Sequence, residues 1–174
     1  MSKIVDNLYL IAAVDENWAI GYEGRLLFRI PEDLRFNFRA RTVGQIVIMG
    51  RTTYESLPEK KPLPDRLNIV ISRALAAADY ENVLFCNSLA EVLEIIEGFK
   101  ERKIFVAGGA SVYRLMLPYC SLAFITKVKA VKRADRYMVN LDKDPDWDLI
   151  EESLPRTHGD NLRFSYATYR RRVD

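Results

Sequence analysis

The chain has 174 residues, a formal net charge of +2, a balance of 49% apolar and 29% charged residues, and a single histidine, His158. That composition suits one soluble domain, 1–174, and excludes much: no basic face for nucleic acid, no apolar run near the roughly 20 residues of a membrane helix, and one histidine all but rules out His-based metal sites and serine triads. The start "MSKIVDN" lacks the apolar run of a signal peptide, and Cys86 and Cys120 form no paired motif, so a cytoplasmic protein with reduced thiols is expected.

The first apolar run, "LYLIAAV" (8–14), is continuous rather than alternating, as in a strand buried on both faces. Asp33 then stands between Ile30 and Leu34 in "LLFRIPEDLRF" (26–36). Pro31 followed by Glu32 and Asp33 predicts a helix start, because proline fits the first turn and acids face the positive end of the helix dipole. "LRFNFRAR" alternates apolar and polar residues at a strand period, yet Ile30, Leu34 and Phe38 also fit a helical stripe; the start signal decides for helix.

Further buried strands are predicted at "IVIM" (46–49), "NIVIS" (68–72), "VLF" (83–85), "IFVA" (104–107) and "LAFI" (122–125). Between them, "SLAEVLEIIEGF" reads as a helix. Ser88 and Glu91 form a capping box, Leu89, Val92, Leu93 and Ile96 share a face, and Gly98 ends it. A second helix follows Gly109, carrying Val112, Leu115 and Met116 to a stop at Pro118. "WDLIEES" and "FSYATYR" suggest an antiparallel pair, and the basic run 170–172 reads as a solvated strand end. The fold class is therefore α/β: one domain, a mostly parallel central sheet with an antiparallel C-terminal edge strand, and helices on both faces.

Open sheets of this class bind ligands beyond the carboxyl ends of their strands. Gly50-Arg51-Thr52-Thr53 follows one strand, Ser72-Arg73 another, and Gly108-Gly109-Ala110-Ser111 a third. Each alone reads as a turn or a solvated charge. Together they offer small residues, hydroxyls and guanidinium groups to an extended, phosphate-rich ligand such as a dinucleotide.

"AAVDENWAIGYEGRLLFRIPEDL", "IVIMGRTTYESLPEKKPLPDRLNIVIS" and "IFVAGGASVYRLMLP", in that order, resemble dihydrofolate reductase of the bacterial chromosomal type, from about Leu8 to Tyr169. The resemblance implies a fold of that family and reduction of 7,8-dihydrofolate to tetrahydrofolate with NADPH by a monomer. It implies that Asp33 is the active-site acid, bonded by Thr126, with Leu26, Phe28 and Tyr113 around the reacting rings. Leu34, Phe38, Leu57, Leu63 and Ala107 would line the substrate, and Arg66 would pair with its glutamate carboxylate. Ala13, Ile20 and Gly21 would flank the nicotinamide. Gly50, Arg51, Thr52, Thr53, Ser72, Arg73, Gly108, Gly109, Ala110, Ser111 and Val112 would hold the rest of the cofactor; the Gly-Gly pair is often joined by a cis bond in the family. No metal is implied.

Three departures stand out. Leu27-Phe28 replaces the family's common Pro-Trp. Ala107 stands where a larger residue is usual. The helix after Asp33 is one residue longer, with Asn37 as the extra residue in a π-bulge, which leaves open whether Phe36 or Phe38 faces the ligand. Two other readings compete. A riboflavin-pathway reductase on the same fold should not need both Asp33 and an Arg66-type anchor, and a non-enzymatic binder should not need Asp33, Thr126 and both glycines.

Overall fold

The structure is a computed structural model that describes residues 3–74, 80–159 and 161–173. In chain order come β1 (Val5–Val14), β2 (Ala19–Tyr22), β3 (Arg25–Leu26), a π-helical stretch Asp33–Arg39 that closes in an α-helical turn Ala40–Thr42 (together α1), β4 (Ile46–Gly50) and α2 (Arg51–Glu55). Then follow β5 (Leu67–Ile71), β6 (Val83–Cys86), α3 (Leu89–Glu97), β7 (Ile104–Val106), α4 (Ala110–Met116), β8 (Cys120–Val128), β9 (Arg136–Tyr137), β10 (Trp147–Glu152), β11 (Arg156–His158) and β12 (Leu162–Arg171). The main sheet runs β10-β12-β8-β1-β7-β4-β5-β6, with β11 beside β12; the strands from β8 to β6 are parallel, and β12 joins β8 antiparallel. The predicted parallel sheet is present, and its antiparallel edge is wider than a single strand because β10 and β11 both pair with β12.

Alternation along the strands explains the continuous apolar runs. Ile46, Ile48 and Ile69 face Val92 and Ile96 of α3 and Val112 and Met116 of α4. Val47, Met49 and Val70 face the other way, against Phe38 of α1, Tyr54 of α2, and Leu57 and Leu63. Both faces of the sheet are thus covered at β4, so both positions in its alternation are apolar. Among the described residues no helix is long and apolar enough to cross a membrane.

Local signals behave largely as their chemistry dictates. Ser88 Oγ accepts the N–H of Glu91 at 3.2 Å, while Glu91 reaches back to the N–H of Asn87, one residue earlier than an ideal capping box. Gly98 ends α3 with φ −75°, so its left-handed freedom is not used. Leu115 is 38% exposed and is not a core position of α4; Tyr113 is buried there instead. The basic run 170–172 is not simply solvated. Arg171 stacks on Trp147 and donates to the carbonyls of Leu117 and Cys120, and Arg172 pairs with Asp148. Both cysteines are buried free thiols, with burial pushing Cys86 up to about 11 and Cys120 up to about 12.

α1 is the least regular element. Its buried positions are Asp33, Asn37 and Thr42, spaced by four and then five residues, as a π-helical register requires. The extra residue is absorbed here. Phe36 is 70% exposed, and Phe38 packs against the core, which settles which aromatic faces inward.

Candidate active site

Asp33 opens the π stretch of α1 and is 8% exposed. Its Oδ1 accepts the hydroxyl of Thr126 at 2.6 Å and the side-chain amide of Asn37 at 2.9 Å. Thr126 sits on β8 opposite Ala13 of β1, so the sheet register carries the hydroxyl to the helix. Burial raises the carboxyl above its ordinary 3.8, while the bonds from Thr126 and Asn37 pull it back. Tyr113 lies close enough for the Asp33 charge, after burial, to push its phenol further up; that phenol donates to the carbonyl of Ile11 at 2.8 Å and stays neutral. His158 does not compete for the acid: it pairs with Glu32 at 3.0 Å. Asp33 is therefore a buried carboxyl set by two neutral donors, Thr126 and Asn37.

The strand ends beside it are built for close backbone approach. Gly108 and Gly109 are joined by a cis peptide bond, and Gly108 has φ +120°. The Gly50 N–H donates to the Gly108 carbonyl at 2.8 Å, and a Cβ on Gly50 would meet Val112 Cγ2 at 3.0 Å. A Cβ on Gly109 would stand 3.6 Å from Thr53 Oγ1. Gly50, Gly108 and Gly109 thus form a floor without side chains, with Thr53 beside it; Thr52 lies on α2, and Ala110 and Ser111 open α4. The side chain of Val112 is core, so it can offer only backbone. Arg51 is exposed and paired with Glu55 at 2.8 Å; Arg73 is exposed, and Ser72 is buried with its hydroxyl on the Ala74 carbonyl.

On the other side of Asp33, Phe38, Leu57, Leu63 and Ala107 share one apolar cluster over Val47 and Met49. Leu34, on α1, is 39% exposed. Arg66 is 6% exposed; its Nε donates to the Pro64 carbonyl and its Nη1 to Thr42 Oγ1 at 3.1 Å. Burial, then the positive charge of Arg39, hold the Arg66 guanidinium below its ordinary value. Arg39 was not singled out from sequence, because its proximity depends on the π register.

The loop carrying Ile20 and Gly21 is ordered by groups that sequence reasoning missed. Asp15, 2% exposed, accepts the N–H groups of Asn17, Ala19 and Lys132. β2 and β3 form a hairpin through Glu23 and Gly24, both at positive φ. Such a two-residue turn is signalled by the Gly in "YEGR". β9 flanks β2, and Asp135 receives the Glu23 N–H at 3.1 Å while donating its own N–H to Gly21. Leu26 and Phe28 have contrasting surroundings. Leu26 is 64% exposed on β3, an edge strand of the small sheet. Phe28 is a core side chain packed with Ile30, Val128 and Phe164, with the Lys132 ammonium 4.6 Å from its ring.

Comparison with known proteins agrees with this geometry. A family model described as Dihydrofolate reductase matches residues 7–171. The chain is 38% identical to a dihydrofolate reductase of Neisseria meningitidis serogroup B, over 93% of this chain and 96% of that one. It is 32% identical to a bifunctional dihydrofolate reductase-thymidylate synthase of Glycine max over 92% of its own length, and spans only 33% of that longer relative. A solved dihydrofolate reductase from Enterococcus faecalis, complexed with NADP(H) and RAB-propyl, superposes with a TM-score of 0.79 at 28% identity, covering 99% of this chain and 100% of that one. On the match over 7–171 and the near-complete coverage of the Neisseria relative, the chain belongs to the dihydrofolate reductase family.

Proposed function

We propose that this protein is an NADPH-dependent oxidoreductase that reduces 7,8-dihydrofolate to 5,6,7,8-tetrahydrofolate, supplying tetrahydrofolate for one-carbon metabolism. The observation that carries this reading is the buried carboxyl of Asp33, bonded to Thr126 and set beside the Gly108-Gly109 strand end.

The donor set suits NADPH. Gly50, Gly108 and Gly109 leave a floor without side chains, and Thr52, Thr53, Ser111, Arg51 and Arg73 supply hydroxyl and guanidinium groups for phosphates. Ala13, Ile20 and Gly21 lie on the nicotinamide side. When bound, NADPH supplies the hydride. The chain's own work is to orient the pterin and assist its proton. The Asp33 carboxylate accepts the pterin amino group and ring N–H, and its negative charge raises the basicity of the ring nitrogen that must be protonated. The proton reaches that nitrogen through water or the pterin itself. Phe38, Leu57, Leu63 and Ala107 enclose the benzoyl portion and exclude water, and Arg66 takes the glutamate carboxylate.

All these groups come from one chain, which we read as a cytoplasmic monomer comprising one domain, 1–174, without a nucleic-acid partner. The test is loss of reduced-nicotinamide absorbance on mixing the protein with NADPH and dihydrofolate. Dihydrofolate-dependent oxidation is expected, and its absence at high protein concentration would overturn the reading.

A further inference from the structure

Asn37 is the residue that family resemblance does not explain. It lies in the middle of α1, yet its side chain is only 8% exposed. Asparagine is a poor helix-interior residue, since its amide competes with the backbone. Here the amide is turned wholly to side chains. Nδ2 donates to Asp33 Oδ1 at 2.9 Å and lies 3.3 Å from Thr126 Oγ1, and Oδ1 accepts Arg41 Nε at 2.8 Å. The two ends of the amide are fixed by chemistry. Arg41 carries only donors and an ionised Asp33 only acceptors, so the carbonyl must face Arg41 and the NH₂ must face the acid. Arg41 is itself held, with its guanidinium 4.0 Å from the Phe124 ring centroid.

We propose that Asn37 is a positioning residue for the reaction: clamped by Arg41, its carboxamide joins Thr126 on Oδ1 of Asp33 and leaves Oδ2 as the oxygen open to substrate N–H groups. A carboxylate oxygen has two lone-pair sites, and the two donors occupy both on Oδ1. Among the described residues no donor reaches Oδ2. The carboxylate is thereby fixed in rotation before substrate arrives. The chain from Arg41 through the amide also brings a positive pole to the acid without an ion pair, because linked hydrogen bonds polarise one another. Asn37 stands one turn after Asp33 in the π stretch, while Phe38 packs against the core and Thr42 lies under Arg66.

The inference rests on Asp33 being the pterin acid, and it makes a claim about titration that holds without substrate. Tyr113 from α4 and Tyr166 from β12 both feel the Asp33 charge and are pushed up, so they stay neutral while Asp33 titrates. Glu151 faces Arg41, Arg156 stacks on Tyr166, and Glu32 is paired with His158. The experiment is a carboxyl ¹³C NMR titration of the free protein, with the Asp33 signal assigned by Asp33→Asn. It is run on wild type, Asn37→Leu and Arg41→Met, alongside single-turnover reduction across pH. Losing the Asn37 bond should raise the Asp33 titration by about one pH unit, the usual weight of a bond to a charged group. Arg41→Met should move it the same way by less, since the amide is then free to turn. The pH below which Asp33 stops outperforming Asp33→Asn should rise with it. If Asn37→Leu fails to fold, Arg41→Met alone decides. An unmoved Asp33 titration in every folded variant would overturn the proposal, as would an activity loss by one factor at every pH, the mark of a merely structural role. If the wild type does not oxidise NADPH with dihydrofolate, the functional reading falls, while the titration still reports on Asn37.

Discussion

Arg66→Met tests the proposed anchor for the substrate's glutamate carboxylate. The Arg66 guanidinium is buried, and two of its donors are used, by the Pro64 carbonyl and Thr42 Oγ1. A guanidinium carries five N–H donors, so a forked pair remains for a carboxylate. Burial and Arg39 both work against its charge, which leaves a buried cation suited to an anion. Charge-assisted bonds are worth about 1.5–3 kcal/mol, or about 10- to 150-fold in affinity. The carboxylate does not change during hydride transfer, so the loss should fall on KM for dihydrofolate and leave kcat nearly unchanged. Arg66→Lys should recover little, because an ammonium cannot reproduce the fork. Folding stability should hold in Arg66→Met: no buried counter-charge is stranded, and Thr42 keeps its bond to the Phe38 carbonyl. The assay is steady-state KM for dihydrofolate and for a dihydropterin without the glutamyl tail. An equal loss on both substrates would refute the carboxylate assignment.

Asp33→Asn should slow hydride transfer about 10²–10⁴-fold at neutral pH, with the deficit shrinking towards acid as solvent protonates the pterin directly; single-turnover rates equal to wild type at neutral pH would reduce Asp33 to a helix-start residue. The same substitution has a stability signature. Burial holds the folded carboxyl above its unfolded value, so the wild type is relatively favoured below that unfolded value and loses the margin as pH rises through the folded one. Denaturant unfolding should therefore show Asp33→Asn gaining on wild type from acid to neutral pH, and a growing deficit would contradict the raised pKa. NADPH should be preferred over NADH by at least about tenfold through Arg51 and Arg73, and Arg51→Ala should narrow the gap, since its exposed pair with Glu55 is worth only about 0.2–0.5 kcal/mol; equal wild-type KM values for the two cofactors would remove that assignment. Ala107→Ile should keep the melting temperature while altering affinity for folate-like inhibitors; a large drop in melting temperature with unchanged binding would make Ala107 ordinary core.

The sheet was legible because both of its faces are buried. Ile46, Val47, Ile48 and Met49 alternate between two helical layers, so the run is apolar throughout, and no polar position interrupts it. The small sheet of β2, β3 and β9 was not legible, because its strands are two to four residues long and are held by long-range contacts from Asp135. Arg171 shows the same limit: a basic run has no sequence mark distinguishing a solvated arginine from one stacked on Trp147.

The candidate site divides along the same physical line. Residues whose role follows from backbone chemistry, such as Gly108 and Gly109, were readable from type and order. Residues whose role follows from helical register were not. Counting from Asp33 to Thr42 reveals one residue too many, and the odd alternation in "LRFNFRAR" locates it, but neither says where an extra side chain points. Spacing alone leaves Phe36 and Phe38 competing for the inward face, and although residues four apart face each other on a helix, it does not say that Asn37 bonds the acid. The structure resolves both together: Phe36 turns to solvent as Asn37 turns to Asp33 and Thr126. The longer helix and the extra donor on the Asp33 carboxyl thus occur in the same π stretch. A deletion restoring the shorter helix should remove the donor and the outward turn of Phe36 at once.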